Sequence, residues 1–288
     1  VFMKYILLFF FFLLAFSCNR EEDGVVLSFP AKNKQRLCFV GDTGTGKGKA
    51  HMVADAIAQE SCDFLVILGD VIYPNGISSS DDPQLIKKFE KPFAPVLKDP
   101  QTKIILAAGN HDNRGSLQAL KDYASTKENV IFPRQFYQVR FGEKLCLNVM
   151  DTNFNFSDQK KFFRKKKKKC SYNIGASHHP YKSSGEHGDA ILFIKDFLED
   201  LVIGKMAVLF SGHDHHLSDE GSFKGTRQFI SGSGAKLREL ENYPAVCGES
   251  TYGYAVMDID GTTFKALGRF MKATKNGKEP LHEFSLRL

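Results

Sequence analysis

The stretch "LFSGHDHHLSDE", residues 209–220, places His213, His215 and His216 within four positions, although the 288-residue chain holds nine histidines in all. Neutral imidazole is the commonest protein metal ligand, so such crowding raises the question of a metal site. The answer depends on whether other ligand-type residues occur in equivalent settings. They do. "GDTG" carries Asp42, "GDVIY" carries Asp70 and Tyr73, "GNHD" carries Asn110 and His111, and "SHHP" carries His178. Each follows a short apolar run, and nearly every side chain offers an oxygen or an imidazole nitrogen. Seven such ligands can serve two ions. A bridging carboxylate holding two cations about 3.5–4 Å apart can activate water and neutralise phosphoryl oxygens.

The elements that must position these groups read as alternating strands and helices. "RLCFVGDTGTG", "DFLVILGDVIY", "TKIILAAGNHD", "CSYNIGASHHP" and "KMAVLFSGHDHH" are apolar runs that end in polar residues. "RQFYQVRFG" and "KLCLNVMDTN" form two further strands around a turn at Gly142. Helical spacing appears in "KGKAHMVADAIAQES", at Ser116–Tyr123, after an N-cap at Ser157, and in "GDAILFIKDFLEDLVIG". "DDPQLIKKFEKPFAPVLKD" reads as short helical turns. Beyond Thr226 the chain is strand-rich, in "TRQFISGSG", "YGYAVMDIDG", "TTFKALGRF" and "LHEFSLRL". The pattern predicts a layered α/β domain with mixed sheets. In such sheets ligands gather at the carboxyl ends of strands, where Asp42, Asp70, Asn110, His178 and His213 stand.

The order of these motifs resembles the calcineurin-like metallophosphoesterases, and within them the purple acid phosphatases, the small tartrate-resistant type in particular. The resemblance runs from about Arg36 to the C-terminus. It implies a four-layer αββα sandwich of two mixed sheets flanked by helices. The wider superfamily has a histidine two residues after the first Asp. Here that position is Gly44, and Tyr73 stands where the purple enzymes place a tyrosine ligand. A phenol of pKa near 10 binds as phenolate only to a strongly Lewis-acidic ion, which fits ferric iron.

By resemblance, Asp42, Asp70, Tyr73 and His215 hold the ferric ion. Asp70, Asn110, His178 and His213 hold a second divalent ion, which is iron, zinc or manganese. His111 and His187, the latter in "SSGEHGD", contact the substrate phosphate or help protonate the leaving group. His216 falls outside the ligand set. The implied reaction is acid phosphatase chemistry: a metal-bound hydroxide attacks a phosphomonoester directly, with no phosphoenzyme. The substrates would be phosphorylated small molecules or phosphoproteins. A phosphodiesterase on the same fold is the alternative enzyme, and a non-catalytic surface-binding lipoprotein the alternative from another class. Thr43, Val71, Ile72 and Ser177 depart from the purple pattern without removing a ligand.

Bulk properties narrow the setting. The formal charge is +6, but residues 160–169, "KKFFRKKKKK", hold eight of the 39 Lys and Arg, and without them the balance is −2. The basicity is local, so no nucleic-acid partner is expected. The run reads as a solvated helix face, or as a segment drawn to an anionic membrane. "GDTGTGKGK" lacks the residue order of a P-loop.

Residues 1–17 read as an export signal, since the apolar core Tyr5–Phe16 is too short to span a bilayer. Cys18 after Ser17 resembles a lipoprotein attachment site, so the protein is expected to be exported and membrane-anchored, or else secreted or periplasmic. Residues 18–34 read as a polar tether and 35–288 as one catalytic domain. Five cysteines remain, with no CxxC pair. Cys38 and Cys146 lie in strand-like runs and read as small buried apolar residues. The spacing leaves room for one disulfide and does not describe a disulfide-built fold.

Overall fold

The computed structural model describes residues 24–167, 170–241 and 245–288. The expected signal segment, Cys18, Lys168 and Lys169 lie outside the described residues. In chain order the elements begin with β1 (Val25–Phe29), β2 (Lys34–Val40), α1 (Gly48–Ala58) and β3 (Phe64–Ile67). Two short helices, α2 (Pro83–Leu85) and α3 (Ala94–Leu97), precede β4 (Lys103–Leu106), α4 (Leu117–Ser125) and β5 (Val130–Ile131). Then come β6 (Tyr137–Phe141), β7 (Leu145–Val149), α5 (Phe156–Lys167), β8 (Tyr172–Ser177), α6 (Leu192–Leu201) and β9 (Val208–Ser211). The rest is β: β10 (Leu217–Phe223), β11 (Thr226–Ser231), β12 (Cys247–Glu249), β13 (Gly253–Asp260), β14 (Lys265–Thr274) and β15 (Gly277–Arg287).

The strands form two mixed sheets. One has the order β1-β6-β7-β8-β9-β11-β10-β12, the other β15-β14-β13-β2-β3-β4-β5. With helices on the outer faces this is the four-layer αββα arrangement. β2, β3 and β4 run parallel in one sheet, and β7, β8 and β9 run parallel in the other. Strands covered on both faces can be apolar throughout. "FLVI" of β3 and "VLFS" of β9 are buried at every position. In α6, Ile194, Phe197, Leu198 and Leu201 are buried at the spacing of one helical face. That face packs with Phe162 and Phe163 of α5 against the outer side of the larger sheet.

Between the sheets runs an aromatic seam. Phe39 of β2 stacks on Phe210 of β9 with ring centroids 3.8 Å apart, and Phe229 of β11 stacks on Phe284 of β15 at 4.0 Å. The seam joins the two sheets a short distance before the strand ends that carry the site.

Three expectations need correction. Residues 18–34 are not a tether throughout: Val25–Phe29 pairs in parallel register with Tyr137–Phe141 as an edge strand, so the folded body begins before residue 35. There are two disulfides, Cys38–Cys62 and Cys146–Cys170, and Cys38 and Cys146 are therefore not free. Both pairs have a sequence separation of 24, and each closes a β-α-β unit whose parallel strands bring the Cα atoms to 6.0 Å. Finally, β15 begins at Gly277, ahead of the expected "LHEFSLRL". It carries Pro280 at the edge of its sheet, where a missing N–H costs no ladder bond.

The basic run is partly neutralised where it is described: Lys160 and Arg164 of α5 pair with Asp200 of α6.

Because Phe210 is fully buried between Phe39 and Phe229, Phe210→Ala should lower the free energy of unfolding by about 3–5 kcal/mol in denaturant titrations.

Candidate metal centre

The loops that leave β2, β3, β4, β8 and β9 converge at one end of the two sheets. Three of the converging residues turn sharply: Asp42, Asp70 and His213 have φ of 61°, 55° and 70°. Left-handed backbone at non-glycine residues is uncommon and is sustained by its surroundings. Here the amide of Asp42 donates to the Gly69 carbonyl, and the amide of His213 donates to Asp42 Oδ2.

The side chains meet in two groups. Tyr73 Oη donates to Asp42 Oδ1 at 2.8 Å and lies 3.2 Å from His215 Nε2, which is itself 3.3 Å from Asp42 Oδ1. In the second group His178 Nε2 lies 2.9 Å from Asn110 Oδ1, 3.3 Å from His213 Nδ1 and 3.5 Å from Asp70 Oδ1. Asp42, Asp70 and His178 offer ligand atoms within 4.8 Å of one another, which joins the groups. The other ring nitrogen of His178 donates to the Leu68 carbonyl at 2.8 Å. That bond fixes the tautomer and turns the Nε2 lone pair inward, as at metal-ligating histidines.

Glycines permit the approach. A Cβ at Gly109 would fall 2.2 Å from Asp70 Oδ1. A Cβ at Gly44 would fall 2.2 Å from the Val71 carbonyl oxygen. A histidine at Gly44 therefore has no room, and Tyr73 reaches the centre from the paired loop, its amide donating to the Gly44 carbonyl.

The electrostatics follow from burial. Asp42 is pushed up to about 8 by loss of solvent, with the nearby Asp70 carboxylate adding to the shift. Burial also opposes ionisation of Asp70, but His178 and the His111 amide outweigh it and hold that carboxyl below its usual range. Burial, with the two carboxylates, drives the Tyr73 phenol upward. His215 is held down to about 3 by burial and then by Lys236 and Arg238, and burial lowers His213 as well. Unprotonated imidazoles beside crowded acids that resist joint ionisation form a donor set suited to cations, and the residues present fit two ions.

All nine residues picked out by sequence come together here. His111 lies with Nε2 3.9 Å from Asp70 Oδ2, and its ring is 4.5 Å from that of Tyr73. His187 stacks on His213 with centroids 4.3 Å apart. His216 is directed elsewhere, into a buried network with Ser218 and Glu220.

Three further residues lie beside the centre but outside the nine picked out by sequence. Asp112, buried, accepts from the amides of Val71, Ile72 and Gly109, and so ties the Asp70 loop to the Asn110 loop. Asp214 accepts from the His187 amide at 3.0 Å and from Ser183 Oγ, holding the His187 loop on the "GHDHH" turn. His179 is bonded through Nδ1 to Thr152 Oγ1 at 2.8 Å, with its ring 4.3 Å from that of His213. The signal for Asp112 and Asp214 was an acid inside each histidine motif.

The family described as calcineurin-like phosphoesterase matches residues 35–217. The chain is 26% identical over 237 residues to tartrate-resistant acid phosphatase type 5 of Sus scrofa, covering 69% of this chain and 68% of that protein. It is 26% identical over 247 residues to purple acid phosphatase 7 of Arabidopsis thaliana, covering 73% and 74%. Among solved structures it is similar to GAP50, the anchor in the inner membrane complex of Plasmodium, with TM-score 0.73 at 17% identity over 89% of this chain and 90% of that one. A dimetal phosphatase from Danio rerio superposes with TM-score 0.51 at 11% identity, covering 86% and 98%.

Since the Asp70 carboxylate lies within 4.8 Å of ligand atoms of both Asp42 and His178, Asp70→Asn should lower metal occupancy at least about tenfold, measured by elemental analysis of the purified protein.

Proposed function

Because the chain belongs to the calcineurin-like phosphoesterase family, a family of metal-dependent hydrolases, we propose that it is an exported acid phosphatase of the purple type. It would hydrolyse phosphomonoesters, of small molecules or proteins, by transferring the phosphoryl group directly to water. The observation that carries this reading is Tyr73, whose hydroxyl reaches Asp42 and His215 while the backbone at Gly44 leaves no space for an alternative ligand.

Asp42, Tyr73 and His215 would hold a ferric ion, and Asn110, His178 and His213 a divalent iron, zinc or manganese, with Asp70 shared. Bound there, the ions supply Lewis acidity toward water and toward the phosphoryl oxygens. The chain's own groups do the rest. His111 Nδ1 donates to the Pro74 carbonyl, so a protonated ring presents Nε2–H on the side of Asp70. His187 covers the His213 face, with Asp214 setting the path of its backbone. Two histidines at the edge of a buried donor set can steady phosphoryl oxygens and pass a proton to the departing alcohol.

Export and lipid attachment at Cys18 complete the reading. The apolar run Tyr5–Phe16 supports them, and so do the two disulfides, which persist in oxidising compartments.

The purified protein should show a visible charge-transfer band that Tyr73→Phe bleaches. It should also hydrolyse an aryl phosphate monoester at acidic to neutral pH at least about tenfold faster than the matched diester. A colourless protein that favours the diester overturns the assignment. Asp214→Asn should lower kcat/KM by about 10–100-fold while metal content is retained, a split that separates placement of His187 from damage to the centre.

A further inference from the structure

One wall of the centre is formed by the segment that follows β11. It is pinned at three points. The Gly234 amide donates to the Gly41 carbonyl, the Arg238 amide to the His215 carbonyl, and the Glu241 amide to the Ser184 carbonyl, at 3.0, 3.0 and 2.9 Å. Each acceptor sits on a different loop of the site, so the wall is fixed relative to all three.

The wall carries two cations, in different states. Arg238 is paired with Glu186, at 2.5 Å. Lys236 is half-buried, with Nζ 4.3 Å from the centroid of the Tyr73 ring, and among the described residues no carboxylate pairs with it. The electron-rich ring face holds an ammonium in place without neutralising it. The result is a positive charge with no carboxylate partner among the described residues, placed beside Tyr73 and His215 on a wall hydrogen-bonded to three loops of the site.

We propose that Lys236 is a specificity residue: it receives a second anionic group, a carboxylate or phosphate, on the alcohol portion of the substrate, so that the preferred substrates are phosphomonoesters whose leaving group is itself negatively charged. The proposal rests on the phosphatase reading above. His111 and His187 stand beside the ligand groups, where the transferred phosphoryl would lie, whereas Lys236 stands over the face of the Tyr73 ring, on the wall that follows β11. A carboxylate or phosphate brought to an unpaired ammonium gains a charge-assisted hydrogen bond, which an uncharged leaving group cannot make.

The test compares phenyl phosphate with 4-(carboxymethyl)phenyl phosphate, which differ by a carboxylate insulated from the ester oxygen. The unaltered protein should favour the carboxymethyl ester in kcat/KM. Lys236→Met should raise KM for that ester about tenfold more than for phenyl phosphate, and Lys236→Arg should restore the preference. The preference should also weaken as salt is added. An equal rise in KM for both esters, or no change for either, overturns the proposal. Equilibrium binding of 4-(carboxymethyl)phenylphosphonate, by calorimetry on the unaltered protein and Lys236→Met, reads the same contact without turnover: equal affinity overturns it. If the unaltered protein turns over neither ester, the phosphatase reading fails, and the calorimetric comparison still decides whether Lys236 binds the carboxylate.

Discussion

Asp42 and Asp70 are buried side by side, and a pair of acids in that position is costly unless something positive stands between them. Much of the surrounding structure can be traced to this one difficulty. Asp42 is driven up while Asp70 is drawn down by His178 and by a backbone amide, so the two carboxyls already divide the burden unequally. The imidazoles of His213 and His215 are held down by burial, which favours lone pairs, rather than competing protons, at those two rings. A Tyr73 phenol whose proton is held by its carboxylate neighbours extends the same logic: it gives up that proton to a strong Lewis acid and to little else.

Holding such groups together requires scaffolding that does not relax. Strands buried on both faces provide the coarse placement, and the fine placement comes from a layer of acceptors behind the loops. Asp112 gathers three amides from two loops, and Asp214 binds the His187 loop to the "GHDHH" turn. These carboxylates accept from backbone N–H groups rather than face the centre. Their removal would loosen geometry before it altered the chemistry of any ligand.

The ligand-type residues that meet at the centre, and the strands that carry them, were legible in sequence because both depend on short-range patterns. An apolar run of four or five residues closed by Gly-Asp, Gly-Asn or Gly-His marks a buried parallel strand with a polar mouth, and "FLVI" before Asp70 and "VLFS" before His213 are of this kind. What was not legible depends on pairing partners distant in the chain. β1 looks like a tether because its stability comes from β6. β10, "LSDEGSF", is polar yet is held between β11 and β12. The cysteine pairs were missed because Cys38 and Cys146 sit within strands, and only the register of each β-α-β unit shows that its second cysteine returns beside the first. Lys236 carried no motif at all. It gains meaning from the pinning of its wall over Tyr73, a property of the fold alone.

The Phe39–Phe210 stack has a consequence for how the molecule comes apart. Three residues beyond each ring, β2 delivers Asp42 and β9 delivers His213, so neighbouring rungs of two different sheets end in groups that meet. Cations seated among Asp42, Asp70 and His213 would then act as a clasp across the molecule's two halves, and free metal in solution would raise the resistance to unfolding by mass action. Thermal stability and metal content should therefore rise and fall together.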